Sequence, residues 1–497
     1  MCHGTSFYGT LRKQRGRRAP RGDQSRFSRN VDGKPQMINS QQTSFSQPVF
    51  TGWIGVGRED ITPPVGIYAR NWGAATKDQA EGVHRPFTLT ALTVQDSLNQ
   101  DPCVLIAMDG TWWKTHEDEW VVRGGLLDAL SLNRSRVMIN LSHTHAGPSL
   151  SLRDTDKPGG HLIPAYLEKI RDAAIKATQQ ALRLRAAATL SWSEGKCALA
   201  HNRGFPDPER KRILCGFNPQ GQTDQTLVVG RVTDAKGKIM ATLVNYACHP
   251  TTLAWENQLL SPDFVGAMRE VVEDHSSKAP CLFLQGASGD LAPCEQYAGA
   301  VEIAECHGRQ LGYATLSVLE SMLPPLTRLQ YSGAVESGAP LATWKRAPQP
   351  PSSVLAAVCQ DVELSLKPMP TLEEIEAELE TCQDRVSAER LRRKREVRWV
   401  VGNHRTARIP LWVWRVGDAF LLGQPNESFS WLQVELRRCF AHHTLVIMNL
   451  VNGGEAGYLP PCDLYDLDRY EVNQTPLDRG SLERLLESAS KAIQALM

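Results

Sequence analysis

The chain has 497 residues, 41% of them hydrophobic and 22% charged, and a formal net charge of +1. This composition excludes a largely disordered chain, a collagen-like chain and a small disulfide scaffold. A charge near zero argues against a dedicated nucleic-acid binder, and with no run of about 18 apolar residues no transmembrane helix is predicted.

Residues 1–47 carry nine Lys/Arg against Asp23 and Asp32, and the remaining 450 residues are mildly acidic. The head is rich in Ser, Gln, Gly and Asn. It has too little apolar surface to offset chain entropy, which predicts a disordered basic tail over 1–47 ahead of one catalytic domain over 48–497. A solvated tail or an upstream extension is the simpler reading, and a basic arm for an acidic partner is the alternative. The head lacks the apolar stretch of a secretory signal, which favours a cytoplasmic protein. The twelve cysteines include no CxxC pair. Cys103, Cys248 and Cys281 sit inside apolar runs, where a thiol packs as a small hydrophobe, so neither a zinc ribbon nor a disulfide framework is signalled.

In chain order, Trp53–Ile61 reads as a strand ending in the rigid loop Thr62-Pro63-Pro64-Val65-Gly66. Phe87–Val94 and Cys103–Met108 read as strands, and Trp120–Leu130 has helical spacing. Arg136–Ser142 is a strand running into His143-Thr144-His145-Ala146-Gly147-Pro148. In Ile163–Leu184, Leu167, Ile170, Ala174, Ala177 and Ala181 share one helical face. Leu227–Val232 and Met240–Cys248 form a hairpin around Asp234-Ala235-Lys236-Gly237, with His249-Pro250 after its second strand. A helix at Phe264–Asp274 precedes the short strand Pro280–Leu284, which ends in Gln285-Gly286-Ala287-Ser288-Gly289-Asp290. Val301–Met322 is a helix. The Pro/Ala/Ser-rich stretch 338–356 reads as a loop. Leu372, Ile375, Leu379, Cys382 and Val386 predict one amphipathic helix to about Arg395, with Arg390–Arg395 on a solvated face. Leu411–Leu422 is a hairpin, Leu445–Leu450 a strand and Ser481–Leu496 a helix. The alternation predicts an α/β fold, a single large domain of mixed sheets flanked by helices, with no repeat and no second domain.

Polar residues gather just beyond the strands. His143 and His145 follow one strand, His249 another, Ser288 and Asp290 a third, Gln424 and Glu427 a fourth, and Tyr458 a fifth. Sites in such sheets form where strand-end loops converge, so a single assembled active site at strand ends is expected. In extended backbone His143 and His145 point to one face, and paired imidazoles suit Zn²⁺. Two satisfied turn histidines are the plainer alternative. His249 is either a distant second ligand or a structural residue. The Gly286–Asp290 turn either presents N–H groups to an oxyanion or simply joins strand to helix. Tyr458 is either a site residue or a core aromatic with a bonded hydroxyl.

Motifs in a fixed order sharpen this. They are Val56-Gly57-Arg58-Glu59-Asp60-Ile61-Thr62-Pro63-Pro64-Val65-Gly66, Gly82-Val83-His84-Arg85-Pro86, Ser142-His143-Thr144-His145-Ala146-Gly147-Pro148 and Asn202-Arg203. They continue with His249-Pro250, Ser261-Pro262-Asp263, Gly289-Asp290-Leu291-Ala292-Pro293, Gly423-Gln424-Pro425, and Gly457-Tyr458 through Tyr465 to Tyr470-Glu471. Over about residues 50 to 475 the chain resembles the catalytic domain of neutral/alkaline non-lysosomal ceramidases and their bacterial relatives. That family consists of zinc-dependent amidases that cleave the N-acyl bond of ceramide, a sphingolipid. The resemblance implies zinc ligation by His143, His249 and Tyr458, substrate contacts from His145 and Arg203, and a site wall at Tyr470.

Three departures qualify it. The family's glutamate ligand follows Pro-Gly, whereas here Leu422-Gly423 is followed by Gln424, so Gln424 is a weaker ligand or Glu427 substitutes. The family's catalytic serine position is Ala292, with Ser288 the nearby replacement. The chain also ends about 27 residues past Tyr470, too few for the family's immunoglobulin-like domain.

The expected chemistry is zinc-assisted hydrolysis of an amide in a small-molecule or lipid N-acyl substrate. His145 and Arg203 would stabilise the oxyanion, and Asp290 or His145 would carry the proton. The alternatives are a catalytically altered homologue that binds without turnover, and a hydrolase of an ester or a sugar-linked amide.

Overall fold

Cys103–Met108, Val137–Leu141 and Cys281–Gln285 are buried at every position, as strands covered on both faces must be. In the computed structural model, which describes residues 43–453 and 456–497, they belong to one eight-stranded sheet. Its order is 281–285, 239–246, 226–234, 186–196, 49–60, 88–95, 103–108 and 137–141. The outermost pair at each end is parallel and the inner pairs are antiparallel. A second sheet of four strands runs 355–365, 406–416, 419–423 and 444–448, its last pair parallel.

The two sheets pack face to face. Phe50, Leu105, Met138, Leu243 and Leu282 of the large sheet meet Trp412, Trp414, Val446 and Met448 of the small one. The indole N–H groups of Trp412 and Trp414 donate to the backbone carbonyls of Arg134 and Ser135, at 3.0 and 2.7 Å, so both rings are buried with their polar atom satisfied.

Helices α1 (His116–Leu130) and α2 (Ile163–Leu184) pack on one part of the large sheet's outer face. Helices α3 (Phe264–His275) and α4 (Val301–Ser321) pack on the other. Helices α5 (Leu372–Thr381) and α6 (Arg385–Val401) separate the first two strands of the small sheet in sequence. That sheet's outer face is covered by α7 (Trp431–Cys439) and, after the short α8 (Tyr470–Gln474), by α9 (Ser481–Leu496). The protein is thus of the α/β class, layered helix–sheet–sheet–helix, with Ser44–Met497 forming one compact unit. Helix α2 lies so close to strand 49–60 that a Cβ on Gly55 would stand 1.9 Å from the Ala181 carbonyl oxygen. Only glycine tolerates that approach.

Several elements differ from expectation. Stretch 338–356 is not a loop: Pro340–Pro348 pairs antiparallel with Thr327–Glu336, and strand Leu355–Ser365 begins within it. This hairpin is largely exposed on both faces, so no apolar alternation marks it. The helix predicted over 372–395 is two helices. Asp384 caps α6 by accepting from the Ser387 N–H at 2.7 Å, and an N-cap residue stands outside the helix it starts. Ser44–Phe45 pairs with Leu329–Gln330, so described structure begins ahead of residue 48. The basic-tail reading otherwise falls on residues 1–42, outside the described residues. Among the described residues no helix is long and apolar enough to cross a membrane.

Candidate metal centre

Strand 137–141 passes through Ser142 to His143, whose φ of 66° is left-handed. A non-glycine residue held there costs of order 1–3 kcal/mol, so the surrounding fold imposes it. The chain has therefore left the extended form before His145, and the two rings meet through a turn, with centroids 4.9 Å apart. His249 follows strand 239–246. Its N–H donates to the Leu291 carbonyl at 2.9 Å, which ties the end of that strand to the loop after strand 281–285.

The hydrogen bonds at the far side of each ring fix its tautomer. His143 Nδ1–H donates to the Thr111 carbonyl at 3.2 Å, and His249 Nδ1–H to the Ser288 carbonyl at 2.8 Å. A carbonyl only accepts, so both neutral imidazoles present a lone pair at Nε2. Those two Nε2 atoms are 3.0 Å apart, and Glu427 Oε2 lies 3.2 Å from the first and 2.7 Å from the second. Three buried lone-pair donors thus face one another with little else to offset their mutual repulsion. A tetrahedral zinc ion with bonds of about 2.0–2.1 Å holds its ligand atoms roughly 3.3 Å apart. The spacing and the nitrogen–oxygen donor set fit such an ion.

Glu427 and Tyr458 arrive together. Glu427–Ser428 and Tyr458–Leu459 are parallel partners, Glu427 opposite Tyr458, and the Glu427 N–H donates to the Gly457 carbonyl. Burial pushes the Glu427 carboxyl up, but the facing His143 and His249 outweigh it and hold it well below the usual carboxylate range. Burial, reinforced by Arg203, pushes His249 down to about 4.

Gln424, expected as a ligand, is engaged elsewhere. Its Oε1 accepts from the Asn426 N–H at 2.7 Å. Its Nε2 sits among Asn426 O, Ser428 Oγ and Asn449 Oδ1, at 2.7–2.8 Å. The amide knits the loop that carries Glu427, and the carboxylate beside the histidines is Glu427, three residues on.

The other candidates separate into groups. The ligand atoms of His145 lie within 4.8 Å of those of His143 and His249. The His145 ring packs against Trp72 and Trp112, with centroids 5.2 and 5.1 Å away, and neither ring nitrogen has a hydrogen-bond partner among the described residues. Burial, reinforced by the neighbouring His143 and His249, holds it well below the ordinary histidine value. Arg203 is buried, its guanidinium 5.5 Å from the Tyr458 ring centroid; Nε donates to the Gly289 carbonyl at 3.1 Å and lies 3.6 Å from Glu471. The Tyr470 ring packs near Tyr458, and its hydroxyl accepts from Arg393 Nη1 at 2.5 Å.

Ser288 and Asp290 are buried outside the pocket wall. The Ser288 hydroxyl accepts from Gln285 Nε2 at 2.6 Å, while its carbonyl orients His249. Both carboxylate oxygens of Asp290 are occupied by Ser430, through its N–H at 2.6 Å and its hydroxyl at 2.8 Å. The expectations of a replacement nucleophile and of a proton carrier there are corrected: these two side chains position His249 and the Glu427 loop.

A pocket opens over the centre, with His143, His145, Glu427, Tyr458 and Tyr470 in its wall. Helix α6 supplies another part of that wall through Glu389, Arg393, Glu396 and Val397. The charge run in this segment suggests a solvated helix instead. The i, i+4, i+7, i+8 spacing of the four residues is the signal that could have found them, since it places them on one face.

The model of the N-terminal part of neutral/alkaline non-lysosomal ceramidases matches residues 53–307, just over half of the chain. Two solved structures share the fold, each with a TM-score of 0.63 and 16% sequence identity. One is a ceramidase complexed with C2, where the match covers 89% of this chain and 74% of that one. The other is the neutral ceramidase from Pseudomonas aeruginosa, where it covers 90% and 74%. With the family model spanning strand 49–60 through most of α4, including both metal-site histidines, the chain belongs to the neutral/alkaline non-lysosomal ceramidase family.

Proposed function

We propose that the protein is a zinc-dependent amidohydrolase that cleaves the N-acyl C–N bond of a small or lipid-like substrate. In this reading His143, His249, Glu427 and Tyr458 form the metal site. The observation that carries it is the convergence of two Nε2 lone pairs and one carboxylate oxygen within 2.7–3.2 Å. A zinc ion held by these residues would supply an acidified water and polarise the scissile carbonyl.

The chain's own groups do the rest. His145, buried with both ring nitrogens unpartnered among the described residues, is placed to donate to the developing oxyanion and to pass a proton to the departing amine. Arg203 stands behind the Tyr458 ring and favours its phenolate form. Tyr470, fixed by Arg393, walls the substrate. Membership of a ceramidase family supports an amide as the bond cleaved.

A second reading rests on Ala292, which is buried on a strand paired with Ala200–Asn202 where the resembling family carries a serine. It describes a homologue that binds the same compounds without turnover. Incubating zinc-loaded protein with N-acyl and ester compounds, and measuring free amine or alcohol alongside free carboxylate, decides between them. Equimolar amine and carboxylate from an N-acyl compound are expected. Saturable binding with no released amine would contradict the hydrolase reading and support the second.

A further inference from the structure

The pocket over the metal centre is small and hydrophilic. Its free volume is about 100 Å³, whereas a 150 Å³ cavity holds about one benzene and sites for drug-sized ligands run to roughly 300–1,000 Å³. A sphingoid base with a long acyl chain does not fit such a space. Beyond the metal-site residues, the wall carries five charged side chains: Arg70, Lys114, Glu389, Arg393 and Glu396.

These charges are held in place rather than solvated. Lys114 Nζ bridges Asp154 and Glu396, each at 2.9 Å. Arg393 donates to the Tyr470 hydroxyl at 2.5 Å and the Asn71 carbonyl at 3.0 Å, with Glu389 at 3.4 Å. Fixed charges of both signs offer donors and acceptors without favouring a net charge on the ligand. Several buried donors in the wall also lack a hydrogen-bond partner among the described residues: Trp113 Nε1, Arg70 Nε and the His145 ring nitrogens. Unpaired buried donors are costly until a ligand's oxygens satisfy them. Trp112 adds an aromatic face beside His145.

Resting on the hydrolase reading above, we propose that the substrate is a compact, hydroxyl-rich N-acyl amine with a short acyl group, of the acylated amino-sugar class, and not a two-chain lipid. Helix α6 is the element that sets this preference. The reaction is hydrolysis: the water oxygen forms the new C–O bond, the C–N bond breaks, and the nitrogen takes the proton, leaving a short carboxylate and a free amino sugar.

The test compares N-acetylglucosamine, N-acetylsphingosine and N-palmitoylsphingosine on the zinc-loaded full-length protein, by product release and by calorimetric binding. A kcat/KM for N-acetylglucosamine at least about 100-fold above either ceramide is expected, because buried polar groups left unpaired by the wrong ligand discriminate strongly. The double variant Arg393→Leu/Glu396→Leu should raise KM for the sugar about 10-fold or more and narrow the gap. Equal or better cleavage of either ceramide by the wild type would overturn the proposal, as would a folded double variant with unchanged sugar KM. If no amide is cleaved by zinc-loaded protein, the hydrolase reading fails. Calorimetry then judges the ligand class alone: tighter binding of the sugar upholds it, and equal or tighter binding of N-acetylsphingosine overturns it.

Discussion

Glu427→Gln is expected to abolish both metal binding and turnover while leaving the protein folded. The carboxylate is the one anion among the described residues within 3.2 Å of both histidine Nε2 atoms, and a carboxamide is a poor zinc ligand. Losing a partner that merely orients a ligand costs about 10–100-fold in affinity or activity, so losing a ligand itself should cost more than about 100-fold. The substituted amide can donate to one imidazole, which relieves the facing lone pairs and protects the fold. Gln424→Ala should show the opposite pattern. It strips a buried hub joining Asn426, Ser428 and Asn449, at a cost of about 2–4 kcal/mol from polar groups left unpaired. Its zinc content should stay close to that of the wild type. Metal analysis and urea denaturation of the two variants separate the roles. Loss of zinc in Gln424→Ala with retention in Glu427→Gln would reverse the assignment.

The second large effect distinguishes the two histidines of the His-Thr-His motif. His143→Ala removes a lone pair aimed at the centre and orphans the Thr111 carbonyl, so zinc content and hydrolysis should fall together. His145→Ala removes a ring with no hydrogen-bond partner among the described residues. It should keep its zinc and lose about 10²–10³-fold in kcat, the range for a lost oxyanion donor or proton carrier. Steady-state kinetics on metal-replete protein checks this. Full zinc and full activity in His143→Ala would sink the metal-site reading.

Much of this site is legible in the amino-acid sequence alone. Histidines and tyrosine just past apolar runs announce strand-end loops, and the chain does bring His143, His145, His249 and Tyr458 together from over 300 residues of sequence. Glu427 is visible there only as a substitute. Its place depends on its parallel pairing with Tyr458, and no local periodicity records a partner 31 positions away. Gln424 stands right after a glycine in a motif, which favours it as a ligand, yet its side chain turns into the loop's own backbone. Helix α6 is easily misjudged because a run of arginines is ordinarily solvated. What places Arg393 inward is its contact with Asn71 and Tyr470, both remote in sequence. Hairpin 327–348 escapes because a strand exposed on both faces carries no alternation to read.

The most direct measurement is the zinc content of purified full-length protein, taken before and after chelation and paired with hydrolysis of an N-acyl compound. One zinc per chain is expected, removed by chelator together with activity and restored with it on adding the metal back. Hydrolysis that persists undiminished in folded, metal-free protein would contradict a catalytic metal at His143, His249, Glu427 and Tyr458.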